Sequence, residues 1–374
     1  MKKIIFISLI STILIASFSF VAYSADEVDF ETLESDIGKD LASTIDDETL
    51  EILSDIGVDD FSFDEIYNIS LKNITSFFKE TLKEKISLVS EDISKLFCVI
   101  VIAGIVTALF KDYSDENFTG MLCVVIVAVF TTGIISGTLN AVVSVLDLSS
   151  KFMTGFVPIY TLIISLSGNA TTALTYNTFA VILAEVISAF ISSGAINIVG
   201  AYFCLGISFS MNESINISRL SSVVNRTVSI TLGLAASAFT GFLSLKNILS
   251  VSVDRISVRS VRFLISSLIP IVGSSISDAY SSLIGSINLI KSSVAIVGIL
   301  VIIIINTPII LETLVYYLSF NILSYLSDGL SVNRVGDVLR IFAGGIRILL
   351  LTCIFEVFML IITTGIVLSV KSGG

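Results

Sequence analysis

The sequence contains no histidine, only four cysteines and three prolines, and just 14% charged residues. Lack of histidine removes the commonest general base and the commonest transition-metal ligand, so a Ser-His-Asp triad is excluded. Cys98, Cys123, Cys204 and Cys353 stand singly in apolar stretches. None has the CxxC spacing of a zinc or redox pair, and they form no disulfide framework; they read as small core hydrophobes. There is no GxxxxGK[ST], no GxSxG, no HExxH and no GxGxxG after a strand, so the nucleotide and hydrolase signatures are missing too. No catalytic, cofactor-binding or metal-binding residue can be named, and an enzyme is not expected.

What is present is apolar. Of 374 residues, 54% are hydrophobic, mean hydropathy is +0.98, and runs such as IVGILVIIIINTPIIL suit hydrocarbon solvent. A soluble domain carries about a quarter charged residues. The fold class is therefore all-α, a polytopic integral membrane protein whose principal partner is the lipid bilayer. The net charge of −11 is localised: from Asp26 to Lys95 there are 20 acidic residues against 6 lysines, and from Leu96 onward 12 against 13 basic ones.

Residues 1–24 run from Lys2 and Lys3 through an apolar stretch to small residues ending at Ser24. This is the pattern of a signal peptide; retained, Ile4–Ala22 is nearly long enough for a first span. Either way the next residues are expected outside the cytoplasm. Residues 25–61 form an acidic extracytoplasmic segment of short helices or disorder. Ser62 and Glu65 then have capping-box spacing. Ile66, Ile74, Phe77, Phe78, Leu82, Ile86, Val89, Ile93 and Leu96 share one face, predicting an amphipathic helix over 62–95. Its stripe needs a cover: the membrane surface, the protein's own membrane domain or a partner.

The membrane domain, 96–374, reads as spans at 96–110, 118–141, 153–167, 177–209, 227–245, 263–287, 292–320 and 341–369. The 177–209 block would be ~50 Å long as a helix and splits at Gly194 if it forms two spans, giving seven to nine in all. Arg219 and Arg226 on one hand, and Lys246, Arg255, Arg259 and Arg262 on the other, both favour the cytoplasmic side. Only 227–245 lies between them, so it is re-entrant or one group breaks the rule; the larger cluster is assigned to the cytoplasm.

That cluster opens region 246–292. Arg255, Arg259 and Arg262, spaced by four and three, form one helical stripe, with Val258, Val261 and Ile265 elsewhere on the cylinder. Such a stripe suits lipid headgroups or a partner's carboxylates. Without a soluble basic domain or aromatic platforms around it, it does not suggest nucleic acid. The following span carries eight serines between Ser266 and Ser286, together with Pro270, Gly273 and Asp278. The hydroxyls and the carbonyl freed by Pro270 call for burial among helices or a wet lumen.

Glu185, Asp278, Glu312, Arg347 and Glu356 fall within apolar runs, where charge is expensive and functional by default. They are coupling carboxylates on one reading, inter-helix hydrogen bonds or ion pairs on the other. As coupling sites, Glu185, Asp278 and Glu356 would serve a self-contained secondary transporter, which is the alternative function. Gly133 and Gly137 form a GxxxG that lets two helices approach closely, within the chain or in a homo-oligomer.

One stretch is also similar to a known family. Asp254, Arg259, Phe263, the Ile269-Pro270-Ile271-Val272-Gly273 core, Asp278-Ala279 and the run from Lys291 to Gly298 resemble the stage III sporulation protein AE family, although Ser274 stands where a basic residue is expected. The layout of signal, extracytoplasmic segment and multi-span domain agrees. The resemblance implies a non-enzymatic component of the channel, or secretion-like, complex between mother cell and forespore, needed for forespore development. It implies a place in the mother-cell membrane around the forespore, with an ATPase and ring-forming subunits as partners. On that reading the acidic segment and the arginine helix are docking surfaces on opposite sides of the membrane.

Overall fold

A computed structural model describes residues 30–59, 61–110, 116–189, 200–204, 208, 217–268 and 273–368. The signal-peptide region, Gly194 and Pro270 lie outside the described residues. Regular structure among the described residues is helical: α1 (Phe30–Ala42), α2 (Asp47–Ile56), α3 (Phe63–Tyr67), α4 (Leu71–Phe110), α5 (Glu116–Leu166), α6 (Ala170–Ala189), α7 (Ile217–Leu268), α8 (Gly273–Gly329) and α9 (Asn333–Leu368).

Local chemistry sets the ends of the short helices. Asp46 caps α2 by accepting from the Thr49 N–H at 3.1 Å. Gly57, at φ 95°, closes the same helix in the left-handed region that favours glycine. Before α3, Ser62 Oγ accepts from the Glu65 N–H at 3.4 Å, whereas the Glu65 carboxylate accepts from Asp59 N–H at 3.0 Å. The capping box is thus half made. The amphipathic helix expected over 62–95 breaks at 68–70, where Ser70 Oγ caps the Lys72 N–H at 3.3 Å, and α4 then runs unbroken to Phe110.

Five helical stretches among the described residues are long and apolar enough to cross a membrane: Leu71–Leu109, Gly120–Leu166, Ser222–Leu264, Tyr280–Gly329 and Asn333–Ile366; Ala170–Ala184 is shorter. The helices are fewer and longer than the seven to nine spans expected. α5 takes in both 118–141 and 153–167, because no Gly or Pro breaks the intervening residues and Asp147–Lys151 pair at 2.7 Å one turn apart. At 1.5 Å per residue α5, α7 and α8 are each ~75–85 Å long, more than twice the ~30 Å hydrocarbon core. Continuity of α7 also removes the re-entrant option for 227–245. Arg226 and Arg255 lie ~44 Å apart on one helix, so the two basic groups fall at different depths.

At the centre α8 and α9 form an antiparallel hairpin. Its turn is held by Ser327 Oγ, which donates to the Val332 carbonyl at 2.9 Å, and by Arg340, which bonds Asp328 and Asp337 at 2.7 Å each. α5 runs antiparallel to α8 (Ser149 meets Asn306, Phe156 meets Gly298). α4 runs parallel to it (Lys85 meets Glu312, Asp92 meets Tyr316). Two hydrophobic clusters result. In one, α1–α3 pack on Phe152, Phe156, Tyr160, Ile290 and Val294; in the other, α4 and α5 pack on Phe320, Phe342 and Leu349. The apolar stripe expected over 62–95 is shared between them, with Ile66, Ile74 and Phe77 on the first and Val89, Ile93 and Leu96 on the second. Its cover is for the most part the protein itself, although Phe78 and Ile86 remain exposed.

Gly298 is a close-approach glycine, since a Cβ there would overlap the Phe156 ring. Gly133 and Gly137, by contrast, meet nothing within 4 Å. The GxxxG expected to bring two helices together within the chain does not do so. Its glycines instead line an open cavity of about 460 Å³ with Asp92, Lys95, Glu312 and Tyr316. Gly298→Leu is therefore expected to lower stability by about 1–3 kcal/mol through overpacking, with Gly133→Leu near wild type. Thermal unfolding of the two variants in detergent decides it; equal melting would contradict the packing at Gly298.

Candidate interaction site at the arginine helix

The inner face of α7 carries Asn247, Ser250, Asp254 and Val258, all buried, at steps of three and four. Asp254 supplies the main anchor. Its carboxylate accepts from the Thr171 N–H at 2.9 Å, the Thr172 N–H at 2.8 Å and the Thr172 hydroxyl at 2.7 Å. These N–H groups belong to the first turn of α6, where the backbone has no helical acceptor and the helix dipole favours an anion. Ser250 and Thr175 share a hydroxyl bond of 2.6 Å, and Asn247 donates to the Ile366 carbonyl at 3.4 Å. Val258 and Ile284 pack over Gly168, whose φ of 80° makes the α5–α6 turn.

The outer face is different. Arg255 and Arg259 are exposed, Arg262 is half-buried with its Nε unpartnered, and none makes an ion pair among the described residues. Four basic side chains elsewhere are matched: Lys85 with Glu312 at 3.6 Å, Lys95 with Glu91 at 2.8 Å, Lys151 with Asp147, and Arg340 with two aspartates. Large apolar residues flank the arginines, with Ile256 67% and Phe263 68% exposed.

The structure changes several expectations here. Arg255 and Arg259 share the outer face, but Arg262 follows Asp254 and Val258 at steps of four, towards the inner edge. Val258 is buried while Val261 is exposed, so these valines do not form one face. Of the serines of that span, Ser281 and Ser286 donate to carbonyls four residues back in their own helix, and the side chains of Ser266, Ser267, Ser274 and Ser275 lie outside the described residues. Ser282 and Asp278 are exposed. The acidic helices and the arginine helix both reach the first part of α8. α1 and Phe61 sit on Ile290 and Val294, and Val258 sits beside Ile284. The two contacts are ~15 Å apart along α8, half the thickness of the hydrocarbon core.

The charges expected inside apolar runs part company as well. Glu312 takes the ion-pair role with Lys85. Arg347 is exposed, and Glu356 is 2% exposed. Glu185 is on α6, but its side chain is outside the described residues, and Gly273 is the first residue of α8. Asp278 lies ~42 Å along α8 from Asn306, which bonds Ser149 beside Glu356. Asp278 and Glu356, two of the three carboxylates that the transporter alternative needs, are therefore not gathered. Sequence reading missed the roles of Ser149, Asn306 and the Asp92–Tyr316 bond of 2.8 Å, because polar residues scattered over three helices give no local signal. Asp254 was visible only as part of a motif.

Asp254→Ala leaves two first-turn N–H groups of α6 without their acceptor and is expected to destabilise by about 1–2 kcal/mol. Asp254→Asn, which still accepts, should lose less. Melting in detergent and proteolysis at the α5–α6 turn measure both; an Ala variant that melts like wild type would show that the cap contributes nothing.

The family whose model matches the chain, over residues 58–371, is described as stage III sporulation protein AE. Among curated proteins the chain is 21% identical over 208 residues to the "Stage III sporulation protein AE" of Bacillus subtilis (strain 168), covering 56% of this chain and 52% of the relative. The alignment thus spans about half the length of that relative. No solved structure matches. Since the family match extends from the end of α2 through α9 and takes in Asp254, Lys291 and Gly298, the chain belongs to the stage III sporulation protein AE family.

Proposed function

We propose that this chain is a non-enzymatic, multi-pass component of the channel complex between mother cell and forespore, sited in the mother-cell membrane around the forespore. The outer face of α7 is its docking surface for other membrane proteins of that complex. One observation carries this reading: in a protein that pairs Lys85, Lys95, Lys151 and Arg340 internally, Arg255 and Arg259 have no carboxylate partner among the described residues and stand among exposed apolar side chains. Charge complementarity from outside, with an apolar surround, is how a protein interface is recognised. The acidic α1 and α2 lie near the same end, so a partner approaching there meets both signs of charge. Membership in a sporulation family supports the process; the partners, an ATPase and ring-forming subunits, are part of the proposal.

The double variant Arg255→Glu/Arg259→Glu leaves the Asp254 anchor intact. Expressed in place of the wild-type chain in a sporulating cell, it is expected to reach the membrane at normal levels. It should lose about tenfold or more of its co-purifying stage III proteins, as disruption of interfacial charge contacts does. Full co-purification at unchanged membrane levels would overturn the docking role.

A further inference from the structure

Ser149 of α5, Asn306 of α8 and Glu356 of α9 meet between the two hydrophobic clusters, and all three are buried, at 0%, 0% and 2% exposed. Asn306 Nδ2 donates to Ser149 Oγ at 2.9 Å and to the Ile302 carbonyl at 2.9 Å. Three buried oxygens are left without a hydrogen-bond partner: Asn306 Oδ1, Glu356 Oε1 and Glu356 Oε2. Ser149 stands beside the carboxyl group, outside hydrogen-bonding geometry, and has one hydroxyl hydrogen to offer. The cluster is therefore short of hydrogens. It holds more acceptors than its donors can satisfy, in a place where an unsatisfied acceptor is expensive.

No basic side chain supplies the deficit. Arg347 is exposed, Lys151 is committed to Asp147, and no ion pair reaches Glu356 among the described residues. Cys353, one turn earlier on α9 and also buried, is the other titratable group at the site. The described residues include no group of three or more His, Cys, Asp or Glu that could hold a metal. α5, α8 and α9 also run as helices through the site, unlike the unwound segments whose carbonyls coordinate sodium in transporters.

We propose that Glu356 is a proton-binding site, and that its neutral carboxylic acid supplies the missing donor that joins α5, α8 and α9 through Ser149 and Asn306. One bound proton makes the balance: the acid O–H donates to an orphan acceptor, and the other carboxyl oxygen receives the Ser149 hydroxyl. This role is independent of the docking surface, because neither Arg255 nor Arg259 touches the cluster.

The test is infrared spectroscopy of the full chain in lipid nanodiscs at neutral pH, comparing wild type with Glu356→Gln. The wild type is expected to show a protonated-carboxyl band that moves on deuterium exchange and is absent from the Gln variant. Asn306→Ala and Ser149→Ala, which keep Glu356, should shift that band by altering its hydrogen bonds. Absence of a difference band would mean an ionised Glu356 and overturn the proposal. So would a band that appears only when sodium is removed, since that would make the ligand a metal ion. Should the Gln variant fail to fold, the Asn306→Ala comparison decides alone: a shifted band supports the site, and an unshifted band or none overturns it.

Discussion

A polar group buried in a bundle made for hydrocarbon has to find its hydrogen-bond partner inside the protein, because neither lipid nor neighbouring aliphatic side chains can provide one. Most junctions of this fold are places where that requirement is met. Asp254 takes the free N–H groups of α6, and Arg340 ties the α8–α9 turn through two carboxylates. Lys85 matches Glu312 between α4 and α8. Hydroxyls along the helices return to carbonyls four residues back. Since the apolar faces are largely interchangeable, these polar contacts fix which helix lies beside which and at what height.

α7 departs from this economy on its outer side only. Its inner face obeys the rule through Ser250 and Asp254, while its outer face presents Arg255 and Arg259, without an ion pair among the described residues, beside exposed Ile256 and Phe263. The inner anchor holds the α5–α6 turn, and the open outer face is what the proposed docking role rests on. Position on the bundle adds to this, since the acidic α1 and α2 pack near the same end of α8.

Much of this was legible in the letters. Helical class followed from apolar runs with almost no breakers. The family motif pointed at Asp254, Lys291 and Gly298, which turn out to be a helix cap, a buried lysine and a close-approach glycine. The stripe from Ile66 to Leu96 was legible as a surface needing cover, though not that α5, α8 and α9 would share in covering it. Gly133 and Gly137 show the limit of a short pattern. Spacing allows a close approach, but whether a second helix arrives depends on where the rest of the bundle lies.

By itself the sequence determined the local terms: helix throughout, hydrocarbon as the solvent of the long helices, net negative charge confined to the N-terminal part, and no histidine or metal-ligand set for chemistry. These depend on composition and on neighbours within a turn or two. Tertiary structure alone decided that Lys85 meets Glu312, which face of α7 is turned out, and that Ser149, Asn306 and Glu356 share one buried point. Such facts join residues as far apart as 149 and 356, and over that separation it is the packing of whole helices, not the spacing of letters, that sets which side chains touch.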